Sequence, residues 1–323
     1  MIRNSLLLFL LASLASAADV PQTQISNKAI TAKFYLPDSE NGYYRGTRFD
    51  WSGVLFSLRA NGHEYFGQWF DNYDPKLHDA IQGPVEEFLS NGAGLGYDEA
   101  KAGGTFIRIG VGVVRKPEEP AYLRFNSYEI IDSGRWKVNR GRDSIEFIHE
   151  LRDTTGYGYR YSKKIRLLGD SAKMVIEHTL RNTGRKPILT QQYNHNFFVM
   201  DGQPTGPDSS VTFAFPLRAQ VPFKPGIAEV QGNKIAYTKE LQKGESTYGE
   251  FESPGPSASS YDIRVENRKA GSGVRITSDR PIAKVIYWSI RTTLCPEVYI
   301  DIDVLPGAHF SWKYNYEFYS LPK

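Results

Sequence analysis

Gln191-Gln192-Tyr193-Asn194-His195-Asn196-Phe197-Phe198 lies between two apolar stretches and carries amides on both of its alternating faces. Laid out as a β-strand, Gln191, Tyr193, His195 and Phe197 share one face, and Gln192, Asn194, Asn196 and Phe198 share the other. A second segment, LCPEVYIDIDV at 294–304, alternates more cleanly. Pro296, Val298, Ile300 and Ile302 form an oily face, whereas Cys295, Glu297, Tyr299, Asp301 and Asp303 point the other way. An imidazole and a carboxyl are side chains that move protons. Surrounded by amides, phenols and aromatic rings, they suit a sugar, whose hydroxyls need donors and acceptors and whose C–H faces need flat apolar cover.

Plainer roles fit the other polar residues. Asp301 and Asp303 read as a wet strand edge. His63 and His309 sit beside turns and read as surface residues, while His149 and His178 lie in alternating strands and read as structural. Cys295 reads as a small apolar packing residue. His78-Asp79 and the scattered aspartates lack metal-ligand spacing, so neither a metal nor a cofactor is expected.

These residues must be positioned by strands. Asn61-Gly62 splits TRFDWSGVLFSLRANGHEYFG into a hairpin. Residues 161–198 read as three strands, broken at Gly169-Asp170 and at Asn182-Thr183-Gly184, with Pro187 ahead of the third. The segment 74–90 (DPKLHDAIQGPVEEFLS) is read as one or two helical turns broken by Gly83-Pro84. Twenty tyrosines, eighteen phenylalanines, 29 glycines and 18 prolines suit a turn-rich β protein. No fixed-period repeat argues for a propeller or solenoid. The expectation is an all-β fold, one large antiparallel β-sandwich forming a single domain over 18–323.

The opening MIRNSLLLFLLASLASA has an early cation, an apolar run and an Ala15-Ser16-Ala17 cleavage pattern. That is the layout of a signal peptide over 1–17, so a secreted or periplasmic protein is expected. The run is shorter than the ~20 residues of a spanning helix, and no membrane span is expected. A net charge of +3 without a basic cluster does not imply nucleic acid. A single cysteine leaves stability to the core.

The stretch TLRNTGRKPILTQQYNHNFFVMDGQPTG resembles the corresponding part of the aldose 1-epimerases, or galactose mutarotases. Asn182-Thr183-Gly184 with Pro187 matches the end of one strand in that family, and Asn194-His195-Asn196-Phe197-Phe198 its histidine-bearing successor. Glu297, then Leu305-Pro306-Gly307 and WKYNYEF, match its later segment, and order and spacing agree over roughly the last half of the chain. The resemblance implies a galactose mutarotase-like supersandwich and α/β anomer interconversion, with His195 as acid and Glu297 as base on opposite sides of a pyranose. Arg45 or Arg48 and His78 are then implied as sugar ligands, with Gln191 and Tyr193 lining the same cleft. The implied partner is a carbohydrate, a free monosaccharide or the end of an oligosaccharide, met by a monomer or dimer. Two other readings use the same sandwich: a carbohydrate-binding protein without turnover, and a polysaccharide lyase or glycosidase-type protein.

Overall fold

Asn61 and Gly62 both adopt left-handed backbone, with φ of 52° and 85°, which closes a tight hairpin between Val54–Ala60 and His63–Glu64. The computed structural model describes residues 20–322. The leader expected over 1–17 therefore lies outside the described residues. The described chain is almost entirely β-strand and turn, and no helix in it is long and apolar enough to cross a membrane.

Two large antiparallel sheets dominate. One has ten strands, with His309–Ser320, Lys173–Asn182, Gly158–Leu167 and Ser144–Arg152 adjacent in that order from its middle toward one edge. The other has six, in the order Ala219–Val221, Ser246–Phe251, Lys284–Ile290, Thr293–Val304, Ile188–His195 and Val85–Leu89. Smaller sheets of four and three strands are built from residues 22–132. The main core fills the space between the large sheets. Tyr161, Ile165, Ile176 and Val274 come from one side, and Ile188, Val285, Val298, Ile300 and Ile302 from the other.

Consecutive strands change sheets at two corners. Lys173–Asn182 belongs to the ten-stranded sheet and its successor Ile188–His195 to the six-stranded one. Thr293–Val304 crosses back to His309–Ser320 through Leu305-Pro306-Gly307. Asn182, fully buried, ties the corners together. Its amide donates to the carbonyls of Lys186 and Val304, each at 2.8 Å, and its own carbonyl accepts from Gly307. This explains why an Asn-Thr-Gly turn and a Leu-Pro-Gly turn, far apart in sequence, belong together.

The amides of Gln192, Asn194 and Asn196 face inward, between the sheets. Gln192 accepts from the Tyr314 hydroxyl at 2.6 Å, and Asn194 donates to Tyr316 at 3.0 Å. Tyr316 in turn donates to Asn196 at 2.9 Å. A buried amide needs a partner, and the facing sheet supplies phenols in register. Beside this seam, Lys163 donates to Glu86 at 2.5 Å, with His178 3.6 Å from the same carboxylate and all three side chains buried.

The helical turns expected over 74–90 are absent. Residues 74–82 form irregular turns, and Val85–Leu89 is a buried strand paired with Ile188–His195. Glu86 and Glu87 disguised it, because their charges are satisfied by distant cations rather than by water.

Candidate active site

His195 and Glu297 sit on neighbouring antiparallel strands whose pairing runs from Ile188↔Val304 to Gln192↔Ile300. The bridge Phe198↔Leu294 keeps the same register, so His195 falls opposite Glu297. Their side chains meet, with His195 Nε2 3.2 Å from Glu297 Oε1. Both project from the outer face of the six-stranded sheet, away from the main core, and are only 3% and 5% exposed. They meet solvent through a cleft of about 180 Å³ that they share with Arg48, Asp79, Arg124, Phe125, Phe197, Tyr248, Ile286 and Trp288.

The imidazole is held by rings. Phe197 stacks on it at 3.8 Å between centroids, Trp69 stacks on the far side of Phe197, and Phe49 and Trp288 meet it edge-on. Phe197 reaches this position with φ of 43°, a left-handed conformation that a bulky residue rarely adopts. Gly83 passes close behind, since a Cβ there would lie 2.4 Å from the His195 carbonyl oxygen. Only glycine lets that turn lie against the strand end.

A buried ion cluster lies beneath one wall. Glu87 receives Arg124 Nη2 at 2.8 Å, Arg124 Nε and Arg48 Nε each at 3.1 Å, and Arg108 Nη2 at 3.3 Å. Tyr193 donates its hydroxyl to Glu87 at 2.5 Å and accepts from Arg124 at 2.7 Å. Burial disfavours the Glu87 charge, yet the arginines prevail and hold its carboxyl well below the usual carboxylate range. Arg48 also pairs with Asp79, whose carboxyl stays low despite burial through its bonds to His78 and Arg48.

Glu297 has the opposite balance. Burial outweighs Arg48 and Arg124 and lifts its carboxyl to about 7. Burial, with Arg48 nearby, pushes the His195 imidazole well below its ordinary value. Both shifts favour the neutral forms, a protonated carboxyl beside a neutral imidazole, and leave two groups whose environments suit acid–base work near neutrality. They do not stand on opposite sides of a sugar-sized gap. At 3.2 Å no ring fits between them, and they address a ligand from the same side.

The other expected ligands separate. Arg48 lines the cleft. Arg45 does not: it lies along a different groove with Trp51 and Lys76, and its guanidinium donates to the Glu40 carbonyl. His78 stands just behind the rim, 2.9 Å from Asp79 and against Phe125. Tyr193 is fully buried beneath the cleft and supports it rather than lining it. Gln191 points outward and donates to Asp301 at 2.8 Å. Arg124, Phe125 and Asp79 lie in irregular loops that carry no periodic signal. Nothing in their spacing marked them. Among the described residues no cluster of three or more His, Cys, Asp or Glu side chains is arranged to hold a metal ion.

No family model matches the chain, and no curated protein matches it in sequence. Solved structures do match. A protein from Synechocystis sp. PCC 6803 superposes with a TM-score of 0.58 at 15% identity, covering 96% of this chain and 99% of its own. A galactose mutarotase related enzyme from Lactobacillus acidophilus gives 0.55 at 14%, covering 94% and 98%. The fold is galactose mutarotase-like. A third protein of this fold, the galactose mutarotase-like protein from Clostridium acetobutylicum, gives 0.56 at 11%, covering 93% and 95%. The mutarotase-like sandwich thus extends over nearly the whole described chain, including the N-terminal half in which the sequence resemblance was thinnest.

Proposed function

We propose that the cleft interconverts the α and β anomers of a sugar by general acid–base ring opening. The observation that carries this reading is the His195–Glu297 pair, in contact and facing a solvent-open cleft lined with aromatic rings. The anomeric hydroxyl oxygen and the ring oxygen are bonded to the same carbon, so an acid and a base side by side can each take one of them. Neutral His195 receives the proton of the anomeric hydroxyl through Nε2. Glu297 gives its proton to the ring oxygen, and the C1–ring-oxygen bond breaks. The open chain then faces a carboxylate and an imidazolium that stabilise one another. After rotation about C1–C2, Glu297 takes the proton back from the attacking hydroxyl and His195 returns one to the new anomeric oxygen. Each group ends as it began. The resting proton thus lies on the carboxyl, the reverse of the roles implied by the sequence resemblance.

Polarimetry on freshly dissolved glucose and galactose tests the proposal. His195→Ala and Glu297→Ala should each lower kcat/KM by roughly 10²–10⁴-fold, the range of one proton-transfer catalyst. Acceleration no greater than buffer with every aldose tried would overturn it. Saturable sugar binding without turnover would instead favour a binding protein, a reading supported by Phe125 and Tyr248, 57% and 43% exposed at the mouth. Export forms part of the proposal and rests on the first 17 residues alone. N-terminal sequencing of protein recovered from the medium or periplasm, with Ala18 as the first residue, tests it.

A further inference from the structure

The charges around the cleft do not cancel. Arg48, Arg108 and Arg124 stand against two carboxylates held ionised, Glu87 and Asp79. Lys284, over the Tyr299 ring, and Glu250, bonded to the Tyr248 hydroxyl, lie further out on the same face with opposite signs. While Glu297 holds its proton one positive charge is left over, and Arg124 is where it meets the cleft. That guanidinium spends Nε and Nη2 on Glu87 and the Tyr193 hydroxyl, whereas Nη1 has no hydrogen-bond partner among the described residues. Its side chain is 28% exposed, against 6% for Arg48 and 1% for Arg108. A guanidinium clamped on one edge and open on the other is a pre-positioned hydrogen-bond donor to an anion.

We propose that Arg124 receives the carboxylate of a uronic acid, so that the preferred substrate is an acidic sugar rather than a neutral hexose. This rests on the anomerase reading above and specifies its substrate. The geometry follows the sugar's own connectivity. The Tyr299 hydroxyl lies 3.4 Å from Glu297 Oε2 and 3.5 Å from Arg124 Nη2, a short bridge from the acid to the arginine. In a hexuronic acid, the ring oxygen that Glu297 protonates is bonded to C5, and C5 carries the carboxylate carbon. A ring oxygen at Glu297 therefore presents that carboxylate toward the arginine side. One surplus charge and one open guanidinium edge match a monoanion; a phosphate dianion would call for further donors. Phe125, exposed beside Arg124, offers an apolar face to the ring.

The test compares the protein on glucuronate, galacturonate, glucose, galactose and glucose 6-phosphate, reading anomer exchange by NMR and binding by titration. The uronate should exceed its neutral counterpart in kcat/KM by at least roughly tenfold, the scale of one charge-assisted hydrogen bond. Arg124→Leu should erase that preference, and Arg124→Lys should retain part of it. The wild-type ratio alone decides the matter if either variant fails to fold. Exchange of neutral hexoses as fast as of uronates would overturn the acidic-substrate assignment while leaving the anomerase reading standing. Preference for the phosphate ester would overturn it as well. Tighter uronate binding with no rate enhancement would uphold the anion site and overturn the anomerase reading.

Discussion

Tyr193 lies flat against Tyr299, with ring centroids 4.4 Å apart, directly beside the point where His195 meets Glu297 on the same two strands. The stacked phenols form a step between the acid–base pair and the Glu87 ion cluster. Tyr299 donates toward Glu297 at 3.4 Å, and Tyr193 donates to Glu87 at 2.5 Å. Arg124 Nη2 reaches both hydroxyls, at 2.7 and 3.5 Å, and so joins the pair to the arginine cluster.

Tyr193→Phe removes a fully buried hydroxyl that serves both Glu87 and Arg124. The expected cost is about 1–3 kcal/mol of stability, from charged partners left short of a hydrogen bond. Urea unfolding measures it, and an unchanged midpoint would contradict the contact.

The resting pair must hold one proton, and Glu297 carries it up to about pH 7. Above that value the carboxylate has nothing to give to the ring oxygen. We expect kcat/KM, which reports the free enzyme, to fall as pH rises through about 7. A profile that instead climbs through neutrality would show Glu297 acting first as a base.

Gly83→Ala places a methyl group against the His195 carbonyl, where the available gap is 2.4 Å. The strand end has to move, carrying the imidazole away from Glu297. The expected result is at least a tenfold drop in kcat at constant KM, since a small misplacement of a reacting group carries that scale of penalty. Equal kcat in both proteins would show that the turn yields instead.

Lys163→Met strands Glu86 between the sheets without its 2.5 Å partner. Loss of one member of a buried pair costs about 3–5 kcal/mol. Burial already pushes the Glu86 carboxyl up, with Lys163 pulling it back and Asp50 adding to the rise. A carboxyl with a raised folded value binds its proton more tightly in the folded chain, so stability falls as pH rises between the unfolded and folded values. Removing the lysine extends that window upward. The deficit in urea melts should therefore shrink on acidification, and a deficit independent of pH would contradict this assignment.

The strands themselves and the two cleft-facing side chains, His195 and Glu297, could be read from the sequence because they follow a period of two residues. Val298, Ile300 and Ile302 mark a core face, and that alternation places Glu297 and Tyr299 on its reverse. The Asn61-Gly62 turn was legible because its backbone demands those residue types. Val85–Leu89 was not, since two adjacent carboxylates in a strand look like a solvated turn until Arg124 and Lys163 are seen across the fold. Arg45 and Arg48 lie three residues apart in an irregular loop, where no period distinguishes the one that turns inward. The amides at 192, 194 and 196 were legible as unusual, but their partners were not, because Tyr314 and Tyr316 reach them from the opposite sheet.

His195 and Glu297 are carried by paired strands, whereas Arg48, Asp79 and the neighbours Arg124 and Phe125 come from three loops above them. In the proposed anomerase, reactivity and taste are thus drafted by different parts of the chain. Exchanging loop residues can then rewrite which ligand is admitted, while the strand-borne couple beneath keeps its place.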